Sequence, residues 1–153
     1  MEYEQRQDAE KDKGWKIKKV MNKNHHREHT GGNDGMVAAT GAKVLAHAGA
    51  ADQISGMDTV LAAGDVVRVG KTVELEVLDT PGHTMNHVCL LSRTDQPALF
   101  CGDTLFNAGA GHCRGGGHPD ALHATFDAQL SKLDDNTLIY PGHDYISNNL
   151  NFT

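Results

Sequence analysis

The chain contains only three cysteines, Cys89, Cys101 and Cys113. Their number is odd and their spacing wide, so no disulfide framework is expected, and a reducing compartment, the cytoplasm, is the simplest setting. No stretch approaches the roughly 18 consecutive apolar residues of a membrane-spanning helix, so no membrane role is expected. The opening MEYEQRQDAEKDKG has no apolar core of the kind a secretory signal needs. A broad basic surface is missing too: residues 28–153 hold six Lys/Arg against fifteen Asp/Glu, which argues against nucleic acid as a partner. The excess of eight Lys/Arg over five Asp/Glu in residues 1–27 reads as a solvated helix and strand edge. There is no internal repeat. Gly70-Lys71-Thr72 does not complete a phosphate loop, because five residues rather than four follow Gly64 and a strand pattern comes next.

What is present is an ordinary globular composition over 153 residues, enough to bury one core, and a surplus of histidine, ten in all. Residues 2–13 lack Gly and Pro and read as a polar helix stopped by Gly14. WKIKKVM at 15–21 alternates apolar and basic, as a half-buried strand does. Asn33-Asp34 are expected to cap a short helix through Thr40, ended by Gly41, and KVLAH at 43–47 to form a strand. VVRVG and KTVELEVLD over 66–79 read as a hairpin, and HVCLLS at 87–92 and ALFCGD at 98–103 as apolar strands ending in turns. Pro119 near a start, then Leu122, Phe126, Leu130 and Leu133 at helical spacing, predict a helix over 119–133. NTLIYPGH at 136–143 is a last strand. Partial alternation of strand and helix makes the class α/β or α+β.

Four chemically loaded clusters fall at turns directly after predicted strands: Asn24-His25-His26-Arg27-Glu28-His29, Pro81-Gly82-His83-Thr84, Gly102-Asp103-Thr104 and Pro141-Gly142-His143-Asp144. Turns held by a rigid sheet are where functional side chains concentrate. Borderline divalent metals favour imidazole and carboxylate together. A lone histidine is more often a surface or satisfied core residue; four such clusters together point to a metal centre. Cys113 is read as a bystander thiol, since no base is specified for it.

The runs N-H-H-R-E-H-T-G-G-N, D-T-P-G-H-T, F-C-G-D-T-L-F-N-A-G-A-G and Y-P-G-H-D-Y-I-S-N-N-L resemble the metallo-β-lactamase superfamily, most closely its glyoxalase II (hydroxyacylglutathione hydrolase) group, over about residues 14–152. The resemblance implies an αβ/βα sandwich with a dinuclear metal site, and a domain plan of a charged helix over 1–13 followed by a catalytic core over 14–153. It implies metal ligation by His26, Glu28, His29, His83, Asp103 and His143, with Asp103 as the bridging, catalytic carboxylate. The family's first motif reads H-x-H-x-D-H, so Asn24 and Glu28 are departures. A neutral amide is a weak ligand, and His25 is expected to face away from 24 and 26 on an extended segment. The first metal site is therefore expected to be weakened and the second better retained; some single-zinc members carry Asn at a corresponding position.

The implied chemistry is hydrolysis of S-acyl glutathione thioesters such as lactoylglutathione by a metal-bound hydroxide. The implied cofactor is zinc, one or two ions, with iron or manganese as alternatives. Tyr145 matches a family glutathione contact, and Arg114, in the loop 112–118, is a candidate for a glutathione carboxylate. Against the family's length, the chain is expected to lack strands of the N-terminal sheet and a helical C-terminal domain. Exposed sheet edges would then invite homo-oligomerisation. Two other readings stand beside the hydrolase: a non-catalytic remnant of the fold, supported by Asn24 and Glu28, and a persulfide dioxygenase using one iron.

Overall fold

The computed structural model describes residue 8 and residues 10–151. Two compact units divide the chain, Met1–Leu61 and Ala62–Thr153. No helix among the described residues is long and apolar enough to cross a membrane. The expected helix over 2–13 is seen at residues 8 and 10–13, and the rest of that expectation lies outside the described residues.

In the first unit, β1 (Lys19–Asn22), β2 (Lys43–His47) and β3 (Met57–Leu61) form a three-stranded sheet in that order, with both pairs parallel. Parallel neighbours need long connections. The link from β1 to β2 carries two helices, α1 (Arg27–Thr30) and α2 (Asn33–Thr40). The central strand KVLAH buries three successive residues, as a strand covered on both faces does. Its Val44 and Ala46 pack with Ala50 and Ile54, and with the flanking Val20, Val37 and Met57. The strand predicted over 15–21 forms only at its C-terminal end and runs to Asn22. Asn33, expected to cap α2, lies inside it; Gly32 holds the capping position, and the Asn33 amide instead pairs with Asn22.

The second unit is built on a five-stranded sheet in the order β10-β7-β6-β5-β4, from β4 (Val66–Val69), β5 (Val73–Asp79), β6 (Val88–Ser92), β7 (Ala98–Gly102) and β10 (Leu138–Pro141). Strands β4 to β7 form an antiparallel meander, the expected hairpin included, and β10 joins β7 in parallel. Every residue of β6 is buried, which is why VCLLS carries no polar alternation. A two-stranded ribbon, β8 (Leu105–Phe106) with β9 (Gly109–Ala110), and the helix α3 (Pro119–Ala128) occupy the β7–β10 crossover. The helix predicted over 119–133 ends at Ala128 and continues as a 3-10 turn over Leu130–Lys132. Its apolar stripe reaches the core as the spacing predicts: Phe126, Leu130 and Leu133 pack on Cys89, Leu91, Leu99 and Cys101. Phe100 and Tyr140, paired across β7 and β10, stack with ring centroids 5.0 Å apart. The last helix, α4 (Ile146–Leu150), follows β10.

This topology fixes where the turns lie. β5 and β7 are each antiparallel to β6, and β10 is parallel to β7, so β5, β7 and β10 all end at the same edge of the sheet. The turns that follow them carry His83, Asp103 and His143.

Candidate metal centre

In the second unit these three side chains meet. His83 Nε2 lies 3.3 Å from Asp103 Oδ2, and His143 Nε2 lies 3.5 Å from Asp103 Oδ1. The His83 and Asp103 side chains are almost wholly buried, while His143 is about one-third exposed at 32%. The carboxylate thus presents one oxygen to each imidazole. A backbone carbonyl can only accept a hydrogen bond, and His83 Nδ1 lies 2.6 Å from the carbonyl of His112. The proton therefore sits on Nδ1, and in the neutral ring Nε2 turns a lone pair toward Asp103. A lone pair facing a carboxylate oxygen in a buried site repels it unless a cation lies between them. A histidine whose far nitrogen is anchored by a carbonyl is the usual arrangement of an imidazole metal ligand. The donor set, imidazole nitrogen on either side of a carboxylate, fits a borderline divalent ion.

Local structure holds these groups in place. One face of α3 and its N-terminal flank grips the turn of His83. The His118 backbone N–H donates to the Gly82 carbonyl at 2.9 Å, Thr125 Oγ1 to the Pro81 carbonyl at 2.7 Å, and Gln129 Nε2 to the Asp79 carbonyl at 2.7 Å. Positions 118, 122, 125 and 129 share a helix face, and Leu122 comes so close to Gly82 that a β-carbon there would lie 2.5 Å from the Leu122 Cα. Gly82 also has φ of +153°, so a side chain is excluded on both counts. At the other end of the site, Gly142 N–H donates to the Gly102 carbonyl at 2.7 Å, and a β-carbon on Gly142 would collide with Asp103 Oδ1. The P-G-H turn and the G-D-T turn are locked face to face by a glycine.

Tyr145 lies against the site: its ring stacks on His143 with centroids 5.3 Å apart and meets Phe106 edge-on. Arg114 is exposed, and its backbone N–H donates to His112 Nδ1 at 3.3 Å. Its loop serves His83 through the His112 carbonyl, a role that has no signature in side-chain type.

In the first unit, the segment after β1 holds the remaining candidates. Asn24 is buried, and its Oδ1 accepts the His26 backbone N–H at 3.2 Å. β1 stops at Asn22 and residues 23–24 form a bend, while the backbone of His26 is extended. His26 stands at the N-terminal flank of α1, with Glu28 Oε1 3.8 Å from its Nδ1. Asn22 and Asn33 form a buried reciprocal amide pair, at 2.8 and 3.4 Å, and Asn22 Nδ2 also donates to the His29 carbonyl at 3.0 Å.

The sequence reading assigned no role to His87, four residues beyond His83. The structure buries it completely, within hydrogen-bond reach of Thr80, Thr104 and the backbone of Asp103. A histidine opening an apolar strand was the available signal, since a buried imidazole needs polar partners.

The chain is 63% identical over 141 residues to the hydroxyacylglutathione hydrolase of a Polaromonas species, covering 92% of this chain and 54% of that protein. It is 60% identical over 140 residues to the hydroxyacylglutathione hydrolase of Nitrosococcus oceani, covering 92% and 53%. The chain thus spans about half the length of the curated relatives it matches. Among solved structures, ETHE1 from Myxococcus xanthus superposes with a TM-score of 0.83 at 28% identity, covering 94% of this chain and 61% of that one. The model of the metallo-beta-lactamase superfamily matches residues 2–143, and the chain belongs to that superfamily.

Proposed function

We propose that this chain carries the catalytic part of a metal-dependent hydrolase that cleaves S-acyl glutathione-type thioesters. The observation that carries the reading is the buried Asp103 carboxylate, flanked by His83 Nε2 on one oxygen and His143 Nε2 on the other. The likeness to two hydroxyacylglutathione hydrolases, at 63% and 60% identity, supports the substrate class. By the family's ligand pattern, His26, Glu28 and His29 serve as further ligands, and zinc is the preferred ion, with iron or manganese as alternatives.

When bound, the metal supplies Lewis acidity, lowering the pKa of water and polarising the acyl carbonyl. His83 and His143 would offer imidazole nitrogens to it, and Asp103 its carboxylate between them. In this reading the Asp103 carboxylate would also accept a hydrogen bond from the attacking water and so orient it. Water adds to the thioester carbonyl and the C–S bond breaks, giving a carboxylic acid and a thiol. A thiolate leaves readily, so no strong general acid is demanded of the chain. The exposed ring of Tyr145 beside His143 offers its hydroxyl to the glutathionyl part, and Arg114 offers a guanidinium to one of its carboxylates.

The test pairs metal content of the purified protein with hydrolysis of lactoylglutathione. The reading expects bound metal together with turnover that a chelator abolishes. Metal near zero and no turnover after zinc loading would refute it. The exchange of Asn24→His with Glu28→Asp restores the family pattern and is expected to raise both quantities.

A further inference from the structure

His87 is a titratable side chain, 0% exposed, in a unit whose other buried histidine is a proposed ligand. Its ring lies between three groups. The Asp103 backbone N–H donates to Nε2 at 3.4 Å. Thr80 Oγ1 lies 3.0 Å and Thr104 Oγ1 3.1 Å from Nδ1. Both threonines are fully buried as well.

These contacts settle the ring's state. A backbone N–H can only donate, so Nε2 must accept and carries no proton. The neutral ring then keeps its proton on Nδ1 and offers it to a threonine hydroxyl. The Thr80 hydroxyl in turn has the His87 carbonyl and Cys89 Sγ, each at 3.3 Å, to receive its own proton. Thr80 follows β5, His87 precedes β6 and Thr104 follows β7, so one ring joins the ends of three neighbouring strands. Of the bonds it makes, the one to Asp103 bears on the site. A bond to that backbone nitrogen limits rotation of the turn that aims the carboxylate, and leaves Oδ1 and Oδ2 for His143 and His83.

We infer that His87 is a positioning residue for the metal centre: its Nε2 holds the backbone of Asp103 so that the carboxylate sits between the two flanking imidazoles. The inference rests on the hydrolase reading above, because it takes Asp103 as a metal ligand. Groups outside the ligand shell that orient ligands commonly govern metal affinity.

Two amides separate this role from a structural one. The carbonyl of a glutamine lies as many bonds from the backbone as Nε2 does and can accept from Asp103 N–H. Asparagine reaches only as far as Nδ1, keeping the threonine side and losing the acceptor. Zinc affinity of the whole chain, measured by competition with a chromophoric chelator, is expected to fall about tenfold or more in His87→Asn and to stay within about threefold in His87→Gln. The visible absorption bands of the cobalt-loaded forms are expected to follow the same order. Wild-type protein that takes up no zinc overturns the hydrolase reading and the positioning role with it. Wild-type uptake with equal affinities in the two variants, or with Asn the tighter, overturns the positioning role alone. A nitrogen–proton correlation spectrum of the unsubstituted apo chain needs no variant to fold. A His87 proton on Nδ1 supports the inference, and a proton on Nε2 overturns it.

Discussion

Gly142→Ala is the sharpest probe of the carboxylate's setting. The added methyl group points at Asp103 Oδ1, well inside the 3.4 Å at which ordinary contacts begin. The Gly142 backbone is itself anchored to the Gly102 carbonyl at 2.7 Å, so the turn cannot simply retreat. Either the carboxylate or the P-G-H turn must move by about 1 Å, and a displacement of that size in a reacting constellation costs on the order of a hundredfold in rate. Overpacking a tight site also costs about 1–3 kcal/mol of stability. The expected result is a fall of that order in thioester turnover, together with weakened zinc binding in chelator competition. Gly64→Ala is the control. It meets open space, and its φ of +85° makes alanine costly there for backbone reasons alone. It is expected to lower the unfolding midpoint while leaving zinc affinity and turnover near wild type. A Gly142→Ala protein with unchanged affinity and unchanged turnover would refute the account of how the two turns set the carboxylate.

Three further outcomes are expected. Asn33→Ala leaves the buried Asn22 amide without its 2.8 Å partner and should cost about 1–3 kcal/mol in denaturant unfolding; an effect below about 0.5 kcal/mol would mean water replaces the bond. Leu99→Ala, at a fully buried position on β7 in the cluster that Phe126 of α3 covers, should cost about 2–5 kcal/mol in the same assay. Asp103→Asn removes the negative charge between the two imidazoles, and zinc retention through dialysis is expected to be lost with folding kept, as circular dichroism would report.

Most of the second unit was legible because its signals are local. VCLLS and ALFCG are apolar runs bounded by turns, and the stripe Leu122, Phe126, Leu130 and Leu133 announces its own helix. The histidine and aspartate turns could be read because each follows such a strand. Other features carry no local mark. MDTVL at β3 buries only its last residue, so no apolar pattern betrays it. The Asn22–Asn33 pair joins residues eleven apart through side chains that usually signal turns. That pair also drew Asn33 off the capping role its residue type suggests. His87 looked idle because what it holds is a backbone nitrogen sixteen residues away, and the 112–118 loop acts through a carbonyl that every residue possesses.

The strand order has a consequence for timing and for linkage. The β4–β7 meander closes short loops and brings His83 and Asp103 together from β5 and β7, the two strands that flank β6. His143 rides on β10, an edge strand whose partner β7 lies about forty residues back, so its arrival waits on a longer loop closure. An edge strand is hydrogen-bonded on one side only, so β10 opens more readily than the central β6. An ion held by His143 would therefore act as a clasp on β10: each opening of that strand must release a ligand, and ion binding must slow hydrogen exchange at Leu138–Tyr140 more than in the central β6.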